Sequence, residues 1–242
     1  MTDQDINCEY CKFCNFTPVI QPNSTVRDLI MTATTEYNLN LLRLVRSIRT
    51  SGCIAKIIIF TTDNVKFPRS IFSCGIEQIV TSSLTERALK SPHKIRWEWY
   101  LQYLQNNLNQ YDRVMHVDAF DTFFFGDPFA FASDYNTLYF QQEGQIIKKC
   151  SYNKRWLMSC HKDAEKAKIL DNMILCSGSL IGGINPFYQF TKLLVGHDAW
   201  QDCWKVGFDQ GDFNYIFYKK WKRFALSSNI STKLLTCEDR FM

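Results

Sequence analysis

Apolar residues fall into ordered blocks along the first half of the chain. RDLIMTATT (27–35) and AKIIIFTTD (55–63) are short, nearly continuous apolar runs ending in polar residues, the pattern of strands buried on both faces. Between them NLLRLVRSIRTSG (40–52) repeats leucine, valine and isoleucine at helical spacing and stops at Gly52, so it reads as an amphipathic helix. The three form a βαβ unit. IEQIVTSS (76–83) predicts a third strand, and IRWEWYLQYLQNNL (95–108) a second helix with Trp97, Tyr100, Leu101 and Leu104 at core spacing. DRVMHVD (112–118) then delivers Asp118 at the carboxyl end of a further strand. Beyond it, NTLYFQQE (136–143) and MILCSGSLIGG (173–183) read as strands, and YNKRW (152–156) as a turn or short helix. The last helices are expected at about Pro186–Gly196 and within FDQGDFNYIFYKKW (208–221). Strands alternating with helices predict an α/β fold: a mixed, mostly parallel sheet flanked by helices.

In an open parallel sheet, ligands sit beyond the carboxyl ends of the strands, which puts Thr32, Ala33, Thr34, Thr35 and Asp63 where a nucleotide would lie. The segment HVDAFDTFFFGDPF (116–129) reaches the same edge and carries Asp118 and Asp121 three positions apart. Two carboxylates beside an apolar sheet need compensation. Their oxygen-only character suits a hard divalent ion, Mg2+ or Mn2+, that takes its other ligands from water and phosphate. The same acids also suit an Asx-turn closing the strand, with Asp121 capping the next turn. Phe123, Phe124 and Phe125 are expected to return to the core as the wall beneath the site.

The 242 residues, 46% hydrophobic and 15% aromatic, are enough for one sizeable core. They divide into a polar, cysteine-containing lead (1–26) and a single domain (27–242). The net charge of +4 is mild and its basic residues scattered, apart from short clusters such as Lys219–Arg223, so no nucleic-acid partner is expected. No run of eighteen apolar residues and no basic-then-apolar leader occurs, which predicts a cytoplasmic protein without a membrane span. Ten cysteines without regular spacing past Cys14 suit free thiols in a reducing compartment. Cys8, Cys11 and Cys14 could present three thiolates to zinc or an iron-sulfur cluster but lack a fourth ligand nearby; a cysteine-rich tail or a disulfide are the other readings. The first strand is followed by no G-x-G-x-x-G, which argues against a dinucleotide enzyme.

VMHVDAFDTFFFGDPF resembles the D-x-D segment of nucleotide-sugar glycosyltransferases of the GT-A fold, and three further segments resemble that family's motifs in the right order. HKIRWEWYLQYL is similar to the helix before the D-x-D strand, LCSGSLIGG to its N-[SA]-G-x-x-x-G strand, and FDQGDFNYIFY to its D-Q-x-x-[LF]-N helix start. The likeness spans about residues 27 to 221. It implies a Rossmann-like GT-A domain that moves a sugar from a nucleoside-diphosphate sugar, UDP rather than GDP, to a hydroxyl on a glycan or protein, with Mn2+ or Mg2+. On this resemblance Asp121 holds the metal, Asp118 the ribose or the metal's water shell, and Lys94 a phosphate, while Ser177 and Gly178 line the sugar-nucleotide site. Asp209, Gln210 and Glu143 are the catalytic candidates, and Asn153, Trp156 and Asn214 shape the sugar or acceptor pocket. Bland alternatives stand beside these: an N-cap for Asp209, a surface acid for Glu143, a core ring for Trp156 and a solvated cation for Lys94. The chain departs from the family in its D-x-x-D spacing, in Cys176 where asparagine is usual, and in having no histidine beyond His197 to serve as a third metal ligand. These departures keep open a catalytically silent GT-A domain that binds a nucleotide or a partner.

Overall fold

The structure of the chain, a computed structural model, describes residues 22–82, 86–202 and 208–236. Cys8, Cys11 and Cys14 lie outside the described residues. The first half follows the expected order: β1 (Asp28–Thr34), α1 (Leu39–Thr50), β2 (Lys56–Thr62), α2 (Arg69–Phe72), β3 (Ile76–Ser82), α3 (Glu86–Lys90), α4 (Pro92–Asn107) and β4 (Arg113–Val117). Then come β5 (Thr137–Ile146), α5 (Ser151–Cys160), β6 (Met173–Gly183), α6 (Ile184–Val195), α7 (Ala199–Asp202) and α8 (Gln210–Ile216). A π-helical turn (Phe217–Trp221) leads from α8 into α9 (Lys222–Ser227), and β7 (Ser231–Leu235) ends the described chain.

The seven strands form one sheet in the order β3-β2-β1-β4-β6-β5-β7. β6 alone runs against the others, pairing antiparallel with β4 and β5. The remaining pairs are parallel, so the fold is a mostly parallel α/β sheet flanked by helices. Alternate residues of the buried strands point to opposite faces. Leu29, Met31, Ile58, Phe60 and Val114 meet α4, α6 and α8 on one side. Ile30, Ile57, Ile59, Met115 and Val117 meet α1 on the other. Trp97, Trp200 and Trp221 are fully buried in the first layer. Truncating one such ring to alanine typically costs about 3–5 kcal/mol, so this layer holds the helices to the sheet. α1 begins where the Asn38 side chain accepts a hydrogen bond from Asn40 N (2.8 Å) and gives way to Gly52 at φ +84°, a backbone suited to glycine.

Four expectations change. β7 adds a parallel edge strand that the pattern did not suggest, and the turn or short helix expected around YNKRW is a helix of ten residues. Of the phenylalanine run, Phe124 is buried, whereas Phe123 and Phe125 are 54% and 82% exposed. Cys74 and Cys160 are each held in a disulfide, against the expectation of free thiols, while Cys53, Cys150 and Cys176 are free. No helix among the described residues is long and apolar enough to cross a membrane.

Candidate active site

The sheet brings the motifs to one edge. β1 and β4 are parallel neighbours, so Thr34 and Asp118 leave the sheet on the same side. β6 runs the opposite way with Ser179 opposite Val117, which sets Ser177 and Gly178 beside Asp118. Asp118 N donates to Gly178 O at 2.9 Å. A Cβ at position 178 would stand 2.1 Å from Asp118 Oδ2, so glycine makes the room that this carboxylate occupies. A cavity of about 330 Å³ opens here, lined by Ala33, Thr34, His93, Arg96, Asp118 and Asp121 among others.

The cation that compensates the acids is Arg96, which the sequence reading passed over. Its guanidinium, 6% exposed, bonds Asp118 Oδ1 on one side and Asp209 Oδ2 on the other (Nη2, 2.9 Å). Asp118 stays 31% exposed. Burial alone would raise its carboxyl, but the Arg96 guanidinium holds it down at about 2. Asp121 lines the same cavity with no ion-pair partner among the described residues, and its carboxyl is raised by partial burial and then by the charge of Asp118. An Asp121 carboxylate and the Asp118 oxygen turned toward Gly178 are hard donors that fit Mg2+ or Mn2+.

Asp209 is not at the surface of the cleft. Only 2% exposed, it accepts from Arg96 Nε (3.3 Å) and Nη2, from Trp97 Nε1 and from Ser177 Oγ (2.9 Å). It heads α8 without a side-chain cap bond. Its place is beneath the site, fixing Arg96 and Ser177, rather than facing a sugar. Gln210 joins three elements: Nε2 donates to Glu143 Oε1 of β5 (2.9 Å) and Asn153 Oδ1 of α5 (2.8 Å), and Oε1 accepts from Ser177 N of β6 (3.2 Å). Glu143 is exposed, and partial desolvation raises its carboxyl against the pull of the Gln210 hydrogen bond.

No protein-family model matches the chain, and no curated protein matches it. The site therefore rests on its own geometry.

Several expected residues sit elsewhere. Lys94 is fully buried, its Nζ bonded to Asp212 Oδ2 (2.8 Å) and Trp200 O (3.0 Å), and does not reach the cavity. Residues two apart on a helix face different ways, whereas His93 and Arg96, three apart, share the face that lines the cleft. That spacing was the available signal for Arg96. Asn214 clamps Leu175, accepting from its N (2.8 Å) and donating to its O (2.9 Å), and so supports β6 instead of lining a pocket. Thr32 is buried in the sheet, and Asp63 lies exposed in the turn after β2, outside the cavity lining. Trp156 stacks on Phe208 (4.6 Å between centroids), and Phe208 stacks on His93 (5.3 Å). This aromatic row runs from α5 to the cleft; of its members only Trp156 was a candidate from the sequence, and His93 and Phe208 were not.

Proposed function

We propose that this chain is a glycosyltransferase that moves a sugar from a nucleoside-diphosphate sugar, UDP rather than GDP, to a hydroxyl on a glycan or protein. The observation that carries the reading is the meeting of Arg96, Asp118 and Asp121 at the carboxyl edge of a mostly parallel sheet, in one cavity with Ala33 and Thr34. Such an edge is where open α/β sheets take nucleotides. Thr34 and Ala33 take the nucleoside side. The buried Arg96 guanidinium, pinned by Asp209, supplies fixed positive charge next to Asp118. A divalent ion, Mn2+ or Mg2+, held by Asp121 and by Asp118 Oδ2, the oxygen that Arg96 does not bond, would neutralise charge on the departing diphosphate. Glu143, oriented by Gln210, is the candidate for the acceptor's proton, because its raised carboxyl is a better base than an ordinary one. The stacked row His93–Phe208–Trp156 offers an aromatic surface against which a sugar can pack.

One observation favours a second reading, a catalytically silent domain of the same kind: Asp209, the acid expected at the sugar, is spent on Arg96, Trp97 and Ser177. The disulfide-bonded Cys74 and Cys160 favour an oxidising compartment over the cytoplasm. The test is hydrolysis of a panel of UDP- and GDP-sugars with Mn2+ or Mg2+, beside Asp121→Ala and an EDTA control. Nucleoside diphosphate released from one donor and lost in both controls supports the transferase. Metal-dependent thermal stabilisation by a donor without turnover supports the silent domain, and neither effect with any donor rejects both.

A further inference from the structure

A second set of ligating side chains gathers around Asp212, in the first turn of α8. Asp212 follows Asp209 by about one turn, and two imidazoles reach it from separate segments: His161 directly after α5 and His197 shortly after α6. His161 Nε2 lies 2.8 Å from Asp212 Oδ1, and His197 Nε2 lies 3.2 Å from the same oxygen. His161 and His197 are 4% and 5% exposed, and the ligating atoms of the trio all fall within 4.8 Å of one another. The second oxygen, Oδ2, accepts from Lys94 Nζ.

The His197 contact is the informative one. At 3.2 Å its Nε2 is close to the carboxylate, yet it has no aligned hydrogen-bond partner among the described residues. A buried polar nitrogen left in that state is costly, and a cation between nitrogen and oxygen removes the cost. Two imidazole nitrogens and one carboxylate oxygen are the donor set of zinc sites that keep a fourth position open. The His161 ring is held in plane by Tyr215, stacked at 3.7 Å and 5°. A cavity of about 460 Å³ touches both imidazoles, giving an entry path and space for a water ligand.

We infer that His161, His197 and Asp212 form a binding site for a divalent transition metal, zinc first, with water at the cavity side. Imidazole ligation separates this site chemically from the carboxylate pair at the cleft, and the inference stands whether or not the chain transfers sugar. Lys94 orients the carboxylate from behind. Its charge also weakens the hold on a cation, so the metal is expected to yield to a strong chelator.

The experiment is a Co2+ titration of the tag-free full chain after chelator treatment. Visible d–d absorption should grow to one equivalent, survive Asp121→Ala, disappear on adding Zn2+, and be lost in His161→Gln and His197→Gln with unchanged far-ultraviolet circular dichroism. Bands that persist in both histidine variants overturn the inference. If a variant does not fold, the wild-type spectrum decides: d–d bands without thiolate charge transfer support the site, while their absence, or thiolate charge transfer from a cysteine site, overturns it.

Discussion

The spacing Asp-x-x-Asp occurs at 118–121 and again at 209–212, and the two pairs live in opposite surroundings. At 118–121 the strand has ended and the chain is irregular, so both acids project into an open cleft and Asp121 has no ion pair among the described residues. At 209–212 the acids stand at the start of α8, both nearly fully buried, with Arg96 on Asp209 and Lys94 on Asp212. These two pairs tie α8 to α4. Arg96 also bonds Asp118, so the buried pair fixes the cation that serves the open one. The spacing of acids thus says little about their role; the element that carries them decides whether they meet a ligand or a neighbouring helix.

This contrast predicts unequal costs. Asp212→Ala strands the Lys94 ammonium in the core and should destabilise by about 3–5 kcal/mol, read as a lower denaturation midpoint. A loss no larger than that of a surface substitution would show the buried pair to be incidental. Gly178→Ala should cost about 1–3 kcal/mol, because the new methyl displaces the Asp118 carboxylate. Nucleotide binding should fall with it, and unchanged binding would separate Asp118 from the ligand.

The pH dependence sharpens the comparison. The folded value of Asp118, about 2, lies below its ordinary 3.8, so its stabilisation is complete above the ordinary value and fades as pH falls through about 2. Asp118→Asn should therefore flatten the acid limb of the stability curve across that window. Asp121 is raised, so its contribution has the opposite sign: it is present at low pH and lost as pH rises through the folded value. Asp121→Asn should leave stability at neutral pH within about 0.5 kcal/mol of wild type or slightly above it, as expected of an exposed position. A marked loss would mean that Asp121 has a structural partner.

Local patterns were readable from the sequence where burial is two-sided or helical. β1, α1, β2, β4 and β6 lie within a few residues of the runs that predicted them, because apolar strands covered on both faces leave a continuous signature. β7 left no such mark: STKLL is an edge strand with three exposed residues, and its pairing to β5 depends on contacts distant in sequence. α5 was underestimated because its helicity rests on packing. It approaches α8 so closely that a Cβ at Gly211 would meet Trp156 O at 2.8 Å. At the site, the motif acids and Gly178 were legible, but the division of labour between Lys94 and Arg96 was not. Both are cations on one helix, and only the fold shows which of them faces the core.

The most direct test of the account is calorimetric titration of UDP, with Mn2+ present, into the wild-type chain and Asp121→Ala. Saturable binding at one site is expected in the wild type, weakened at least about tenfold, or about 1.4 kcal/mol, in the variant and abolished by EDTA. Equal affinity in both proteins, or no binding to either, would contradict the assignment of Asp118, Asp121 and Arg96 as a sugar-nucleotide site.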